Sequence, residues 1–126
     1  MQTDVAVQVR GIDITVYLIK DAERAKKFYS ETMGFKKTGD YGPNGAEFTF
    51  ADNTTFGLWK MDDGTWNPNH GAMFAVDDIH KAVAYYKSRG VKIEDHIEDT
   101  PACFMAFAED SEGNHFILHQ RKGGRD

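Results

Sequence analysis

The sequence repeats one pattern of helix signals, and this repeat limits the folds that the chain can adopt. DAERAKKFYSETMG begins at Asp21 and DIHKAVAYYKSRG begins at Asp78, so the two segments are 57 residues apart (78 minus 21). Each begins with an aspartate suited to cap a helix, carries apolar residues at helical spacing and ends at a glycine. Self-similarity on this scale indicates a duplicated architecture.

Predicted strands surround both helices in the same order. RGIDITVYLIK precedes the first helix, and a strand and a hairpin turning at Asp52-Asn53 follow it. GAMFAVD precedes the second helix, and VKIEDHIED, ACFMAFAED and NHFILHQR follow it. The closing strands align at an offset of 60, which places Phe56 on Phe116. We therefore predict an α+β fold of two tandem βαβββ units within one domain, 1–126, with units at about 11–61 and 71–121 and a joining loop at 62–70.

The composition excludes several classes of partner. A formal net charge of −5 argues against nucleic acid, because phosphate contacts need a basic face. The apolar runs are too short to cross a bilayer, and MQTDVAVQVR lacks the apolar stretch of a secretion signal. The single cysteine, Cys103, excludes an intrachain disulfide and a multi-cysteine zinc site. We expect a cytoplasmic protein that binds neither nucleic acid nor membrane.

Three segments of the chain resemble the vicinal oxygen chelate superfamily, which contains glyoxalase I, extradiol dioxygenases and bleomycin-resistance proteins. They are DAERAKKFYSETMGF, VDDIHKAVAYYKSRG and EDSEGNHFILH, and the resemblance covers roughly residues 11 to 121. It implies that the two units form an incomplete barrel around a concave cavity, and that the chain forms a homodimer. In the enzymes of this group, a divalent metal in that cavity is bound by His or Glu on the first and last strand of each unit.

The residues at those four ligand positions can be identified in this chain. The first-strand ligand of the family lies seven residues before the capping aspartate, which gives Ile14 and Gly71. The last-strand ligand lies just before the leucine of the closing strand, which gives Gly57 and Ile117. None of these side chains can bind a metal, since such cations need imidazole, carboxylate or thiolate groups. We therefore predict that the family metal site is absent and that no cofactor is bound.

These substitutions also predict the shape and lining of the cavity. Two glycines remove side-chain bulk from the cavity wall and two isoleucines make the wall apolar, which favours a larger and flatter ligand. Alternatively, both glycines allow a bulge or bend of the backbone. Aromatic walls suit flat or cationic ligands, although core or lid packing would also explain both tryptophans. By strand alternation and loop position, the predicted ligand-binding residues are Ile14, Val16, Leu18, Gly57, Trp59, Trp66, Gly71, Met73, His115, Ile117 and His119.

The histidines allow alternative interpretations. His115 and His119 share a strand face but lie about 13 Å apart on an extended strand, too far to bind one ion. Each could act as a hydrogen-bonding group or a general base, and a solvated strand end also explains His119. A register shift of one residue would place His70 at a metal position. We favour the register in which Phe74 and Val76 face the helix.

Several functions are compatible with this pattern. The leading interpretation is metal-independent binding of a small aromatic or cationic molecule, as in the bleomycin-resistance branch of the family that the chain resembles. The alternatives are a metal-dependent glyoxalase- or dioxygenase-type enzyme with displaced ligands, a metal-free lyase or isomerase using His115 or Glu47 as base, and an interaction module without a ligand. The sequence assigns no catalytic residue.

Overall fold

The structure, a computed structural model, describes residues 7–123 and contains two βαβββ halves in that range. The first half consists of β1 (Thr15–Leu18), α1 (Ala22–Lys27), β2 (Lys37–Asp40), β3 (Gly45–Thr49) and β4 (Thr55–Trp59). The second half consists of β5 (Ala72–Ala75), α2 (Ile79–Ser88), β6 (Lys92–Asp99), β7 (Cys103–Glu109) and β8 (His115–Arg121). A π-helical turn, Phe28–Thr32, continues α1, and a 3₁₀ turn, Gly42–Asn44, precedes β3.

Each half forms one four-stranded sheet with the same strand order. The orders are β1-β4-β3-β2 and β5-β8-β7-β6. In both sheets the first strand pairs in parallel with the last, and the remaining pairs are antiparallel. The predicted α+β fold of two tandem units forming an incomplete barrel is confirmed.

The helix boundaries follow from the residues that the sequence placed there. The Asp21 side chain accepts a hydrogen bond from the Arg24 amide at 3.0 Å, and Asp78 accepts one from the Lys81 amide at 3.1 Å. These bonds satisfy amides that lack partners in the first turn of a helix. Gly90 adopts a φ of +88° after α2, a conformation that favours glycine and ends the helix.

One aromatic core connects both sheets on the helix side. The ring of Tyr29, which is fully buried, lies 5.1 Å from Phe56, 6.5 Å from Phe74 and 6.4 Å from Phe116 between centroids. These rings come from both halves, so the two sheets share this core. The packing of Phe74 confirms the favoured register of β5, because it leaves Met73 on the opposite face of the sheet.

A buried turn, Asp110–Asn114, ties the second half to the start of α1. Glu112 is only 1% exposed and accepts hydrogen bonds from the amides of Lys20 and Asp21, both at 2.8 Å. The Arg24 guanidinium lies 2.6 Å from the same carboxylate. Burial raises the pKa of Glu112, but the bonds from Arg24 and the two amides outweigh it and hold the pKa below its ordinary value.

Asp110 is the second buried carboxylate of this turn, and its pKa shifts in the direction opposite to that of Glu112. It accepts a hydrogen bond from the Tyr29 hydroxyl at 2.5 Å and others from the amides of Glu112 and Asn114. Burial exceeds the effect of these bonds and raises the pKa of Asp110. The turn that resembles the family pattern therefore has a structural role, because it connects the second half to the start of α1. No helix within residues 7–123 is long and apolar enough to cross a membrane.

Candidate functional site

The side of the two sheets opposite the helices, here called the open face, exposes apolar residues. On β1, Tyr17 is buried while its neighbour Val16 is 44% exposed. On the strands that follow, Trp59 is 39% exposed and Met73 is 51% exposed. The predicted residues within the strands alternate with buried neighbours and therefore share this face, and Ile14 joins them because its side chain packs on Gly57. They are Ile14, Val16, Leu18, Gly57, Trp59, Met73, His115, Ile117 and His119.

In the first half, the two family ligand positions touch each other. A Cβ atom added to Gly57 would lie 2.9 Å from Cδ1 of Ile14 and 3.4 Å from Cγ2 of Val16. The Ile14 side chain therefore occupies the space that the missing side chain leaves, so the room expected at Gly57 is filled from within the chain. Positions that meet in this way could hold a shared ion, but here they present only hydrocarbon and glycine.

In the second half, the glycine at the family ligand position allows a backbone conformation that other residues rarely adopt. Gly71 has a φ of +101°, a conformation in which a residue with a side chain is strained. Two residues further on, Met73 lies opposite Ile117 in the β5–β8 register. Among residues 7–123, no three His, Cys, Asp or Glu side chains lie close enough to hold a metal ion. The residues at the four family positions do not fit the divalent metal of the related enzymes.

Two histidines meet on the open face of the second half. The rings of His70 and His115 are stacked, with centroids 5.0 Å apart and planes inclined by 5°. Both residues are exposed, and Glu109 lies directly opposite His115 on β7. The sequence made His70 a candidate only through a register shift, yet the structure brings it to His115 without one. His119 lies apart from this pair, opposite Met105.

Trp66 packs against the turn Asp110–Asn114. The Lys20 ammonium lies 4.1 Å from the centroid of its ring, and a Cβ on Gly113 would lie 3.5 Å from Cη2 of the indole. The indole Nε1 is buried and has no hydrogen-bond partner within the described part of the chain. The chain itself therefore covers much of this indole, which agrees with the packing interpretation of Trp66.

The open face of the first half carries a polar pair, of which the sequence indicated Glu47 as a candidate base but missed Tyr41. Glu47 of β3 lies opposite Gly57 on one side and Gly39 on the other. A hydrogen bond with the Glu47 carboxylate raises the pKa of the Tyr41 phenol. Alternation along GAEFT, in which Ala46 and Phe48 are buried, agrees with the position of Glu47 on this face. No periodic signal marks Tyr41, because it follows the end of β2.

Comparison with known proteins places these features in a family. Residues 11–118 match the profile of the Glyoxalase/Bleomycin resistance protein/Dioxygenase superfamily. A probable chloroplastic lactoylglutathione lyase from Arabidopsis thaliana is 32% identical over 124 residues, an alignment that includes 84% of this chain. The chain spans only 34% of the length of that relative.

Two solved structures share the fold. TnmS3, an antibiotic binding protein from Streptomyces sp. CB03234, matches with a TM-score of 0.77 and 24% identity over 93% of this chain and 100% of that one. A lactoylglutathione lyase from Agrobacterium tumefaciens matches with a TM-score of 0.75 and 15% identity over 89% of this chain and 94% of that one. At these identities the likeness concerns the fold, which one neighbour uses for binding and the other for catalysis.

Proposed function

Because the chain belongs to the glyoxalase/bleomycin resistance protein/dioxygenase superfamily, we propose that it binds a small aromatic or cationic molecule on the open face without a metal ion. The observation that carries this proposal is the set of residues at the four family ligand positions. Ile14, Gly57, Gly71 and Ile117 offer no donor side chain, and Gly71 has a backbone conformation unsuited to one. Binding without a metal is also compatible with the antibiotic-binding neighbour.

Trp59 is the main ligand contact in this proposal. It lies opposite Leu18 across the β1–β4 pair, on the same face as Val16, and each of the three retains exposed surface. An exposed indole beside aliphatic side chains provides a flat apolar surface on which an aromatic ring can stack. The same indole attracts cations through its π face. Contiguous exposed apolar surface of this kind typically marks a binding site.

The proposal includes a homodimer. Besides the open face, Val7 and Val9 before β1 are 98% and 89% exposed, and Ile12 is 84% exposed. A second copy that covers part of this apolar surface would remove it from water and would enclose the ligand more fully.

Fluorescence tests the proposal directly, because the chain has two tryptophans. Trp66→Phe leaves Trp59 as the only indole, and Trp59→Phe leaves Trp66. We would titrate both variants with bleomycin, ethidium and proflavine as flat or cationic probes. Saturable quenching should occur in the wild type and in Trp66→Phe but should disappear in Trp59→Phe. Calorimetry should show at least about tenfold weaker binding by Trp59→Ala.

Two results would contradict this function. The first is that none of the probes gives saturable quenching in the wild type. The second is that a probe binds Trp59→Ala as tightly as the wild type while circular dichroism shows the variant to be folded. Trp66→Phe serves as the matched control, since it removes the other indole without touching the open face.

A further inference from the structure

We propose that Glu47, positioned by Tyr41, contacts the ligand, and that the ligand therefore carries an amine, amidine or guanidine beside its flat ring. This inference rests on the proposed binding function. It goes further by naming the residue that sets specificity and the chemical group that it selects.

The first observation is the row of residues in which Glu47 lies. Val16, Gly57, Glu47 and Gly39 lie opposite one another on β1, β4, β3 and β2, and so form one row across the first sheet. Neighbouring strands lie about 4.8 Å apart, so an ordinary row would place side chains directly beside the glutamate. Here both flanking positions are glycines, and the space beside them is filled by the Ile14 side chain at Gly57 and by the Tyr41 hydroxyl at Gly39. No cationic side chain therefore lies next to Glu47 in this row, and a ligand would approach the carboxylate from above the open face.

The second observation is the group that holds the carboxylate. A Cβ on Gly39 would lie 3.1 Å from the Tyr41 hydroxyl oxygen and 3.6 Å from the Glu47 Cβ. Gly39 thus gives Tyr41 the room to fold back over β2 toward Glu47. The proximity of the Glu47 carboxylate raises the pKa of the Tyr41 phenol, and a carboxylate beside one hydroxyl keeps further lone pairs for another donor.

The third observation is that this carboxylate has no cationic partner. No salt bridge among residues 7–123 includes Glu47, although the residue is half-buried on an apolar face. A carboxylate in such surroundings is stabilised by an incoming cation that also donates hydrogen bonds. Ammonium, amidinium and guanidinium groups meet both requirements.

The distance from Trp59 to Glu47 defines the shape of the ligand. Trp59 lies opposite Gly45, two residues before Glu47 on β3, so the two side chains are diagonal neighbours on the same face. Such neighbours lie about 7–8 Å apart. A ring stacked on Trp59 could therefore present a cation to Glu47 from a substituent only one or two bonds long.

The second half carries no equivalent carboxylate. The offset of 60 places Phe107 at the position of Glu47 (47 plus 60), and Phe107 lies opposite Ile117 just as Glu47 lies opposite Gly57. A carboxylate at this position therefore belongs to the first half only, and Glu109 of the second half lies instead opposite His115 and within 3.9 Å of the Lys92 ammonium. We infer that Glu47 orients an asymmetric ligand, with the cationic end over the first sheet.

Two probes of one shape test this inference. The first, 2-naphthylmethylammonium, carries the cation, and the second, 2-naphthylmethanol, is its neutral counterpart. By calorimetry at low salt, the wild type should bind the ammonium about tenfold more tightly than the alcohol, as a charge-assisted hydrogen bond implies. In Glu47→Gln the two affinities should become equal, with the affinity for the alcohol unchanged.

Two further variants separate charge from position. Tyr41→Phe keeps the ring but loses the bond to Glu47, so the ammonium-to-alcohol ratio should fall by about threefold, less than in Glu47→Gln. Glu23→Gln is the matched control, because it removes one negative charge from a side chain of α1 that is 90% exposed. It should leave the ammonium-to-alcohol ratio unchanged.

Each outcome decides between the two levels of the proposal. If the wild type binds both probes equally, or if Glu47→Gln keeps the tenfold ratio, the role of Glu47 is wrong and the binding function stands. If neither probe binds the wild type at millimolar concentration, the proposed function fails together with this inference.

Discussion

The two halves of the molecule have the same strand order and pairing, yet their open faces differ. The first half presents Ile14 folded over Gly57, the indole of Trp59 and the carboxylate of Glu47. The second half presents the stacked pair of His70 and His115. A duplicated backbone thus holds an apolar surface with one acidic group beside a surface with several imidazoles. Pseudo-symmetry of the fold therefore does not extend to the chemistry of the face.

On the helix side, in contrast, equivalent positions of the two halves carry the same residues. Phe56 and Phe116 occupy equivalent positions and are 2% and 1% exposed, and Leu58 and Leu118 are equally buried. Packing against the shared aromatic core restricts these positions, because a cavity or an overfilled core costs several kcal/mol. No such packing restricts the open face, so its side chains can differ between the halves without unfolding the chain.

The largest expected effect concerns the two hairpin turns before the closing strands. Glu112→Ala would leave the Arg24 guanidinium and two amides without their acceptor, and we expect a loss of about 3 kcal/mol in the free energy of unfolding. Asp52→Ala, in the equivalent turn of the first half, removes an exposed acceptor of two bonds from Thr54 and should cost about 0.5 kcal/mol. Urea denaturation at pH 7 measures both. Equal losses would show that the turns play equal roles.

The pH dependence of Glu112→Gln provides a check on this comparison. The pKa of Glu112 is lower in the folded chain than its unfolded value of about 4.3, so its contribution is present above that pH. The contribution is lost as the pH falls through the folded pKa. The difference in free energy of unfolding between the wild type and Glu112→Gln should therefore be largest near neutral pH and should narrow below about pH 4. A constant difference would contradict the assigned ion pair.

A smaller effect distinguishes the two glycines at the family ligand positions. Gly71→Ala places a side chain on a backbone with a φ of +101°, which should cost about 1–2 kcal/mol. Gly57→Ala needs only a shift of the terminal carbon of Ile14, so we expect a change within about 0.5 kcal/mol. Urea denaturation of both variants provides the measurement. A larger loss for Gly57→Ala would mean that the Ile14 contact is rigid.

Most of the fold followed from local signals in the sequence. Asp21 and Asp78 begin the helices through side-chain bonds to amides three residues on, and alternation assigned the faces of β1, β4 and β8. β1 is shorter than the predicted strand 10–20, because only Thr15–Leu18 pair with β4. The face of β7 could not be assigned from FMAF, which is apolar throughout; the structure buries Ala106 and turns Phe107 to the open face.

The details of the candidate site depended on contacts between distant residues. The filling of Gly57 by Ile14 and the stacking of His70 on His115 depend on side-chain rotamers after the strands have paired. Tyr41 reaches Glu47 only because Gly39 has no side chain to occupy the space between them. Strand alternation gives the face of a side chain but not its direction within that face, so these contacts could not be read from the sequence.

The most direct test of the metal-independent site is the metal content of the protein. Untagged protein purified without chelators would be analysed by mass spectrometry, before and after soaking in Zn²⁺, Ni²⁺, Mn²⁺ and Fe²⁺ followed by gel filtration. Hydrocarbon and glycine at the four ligand positions predict far less than one retained ion per chain. About one ion per chain, lost on His70→Ala, would contradict the account and place a displaced metal site at the stacked histidines.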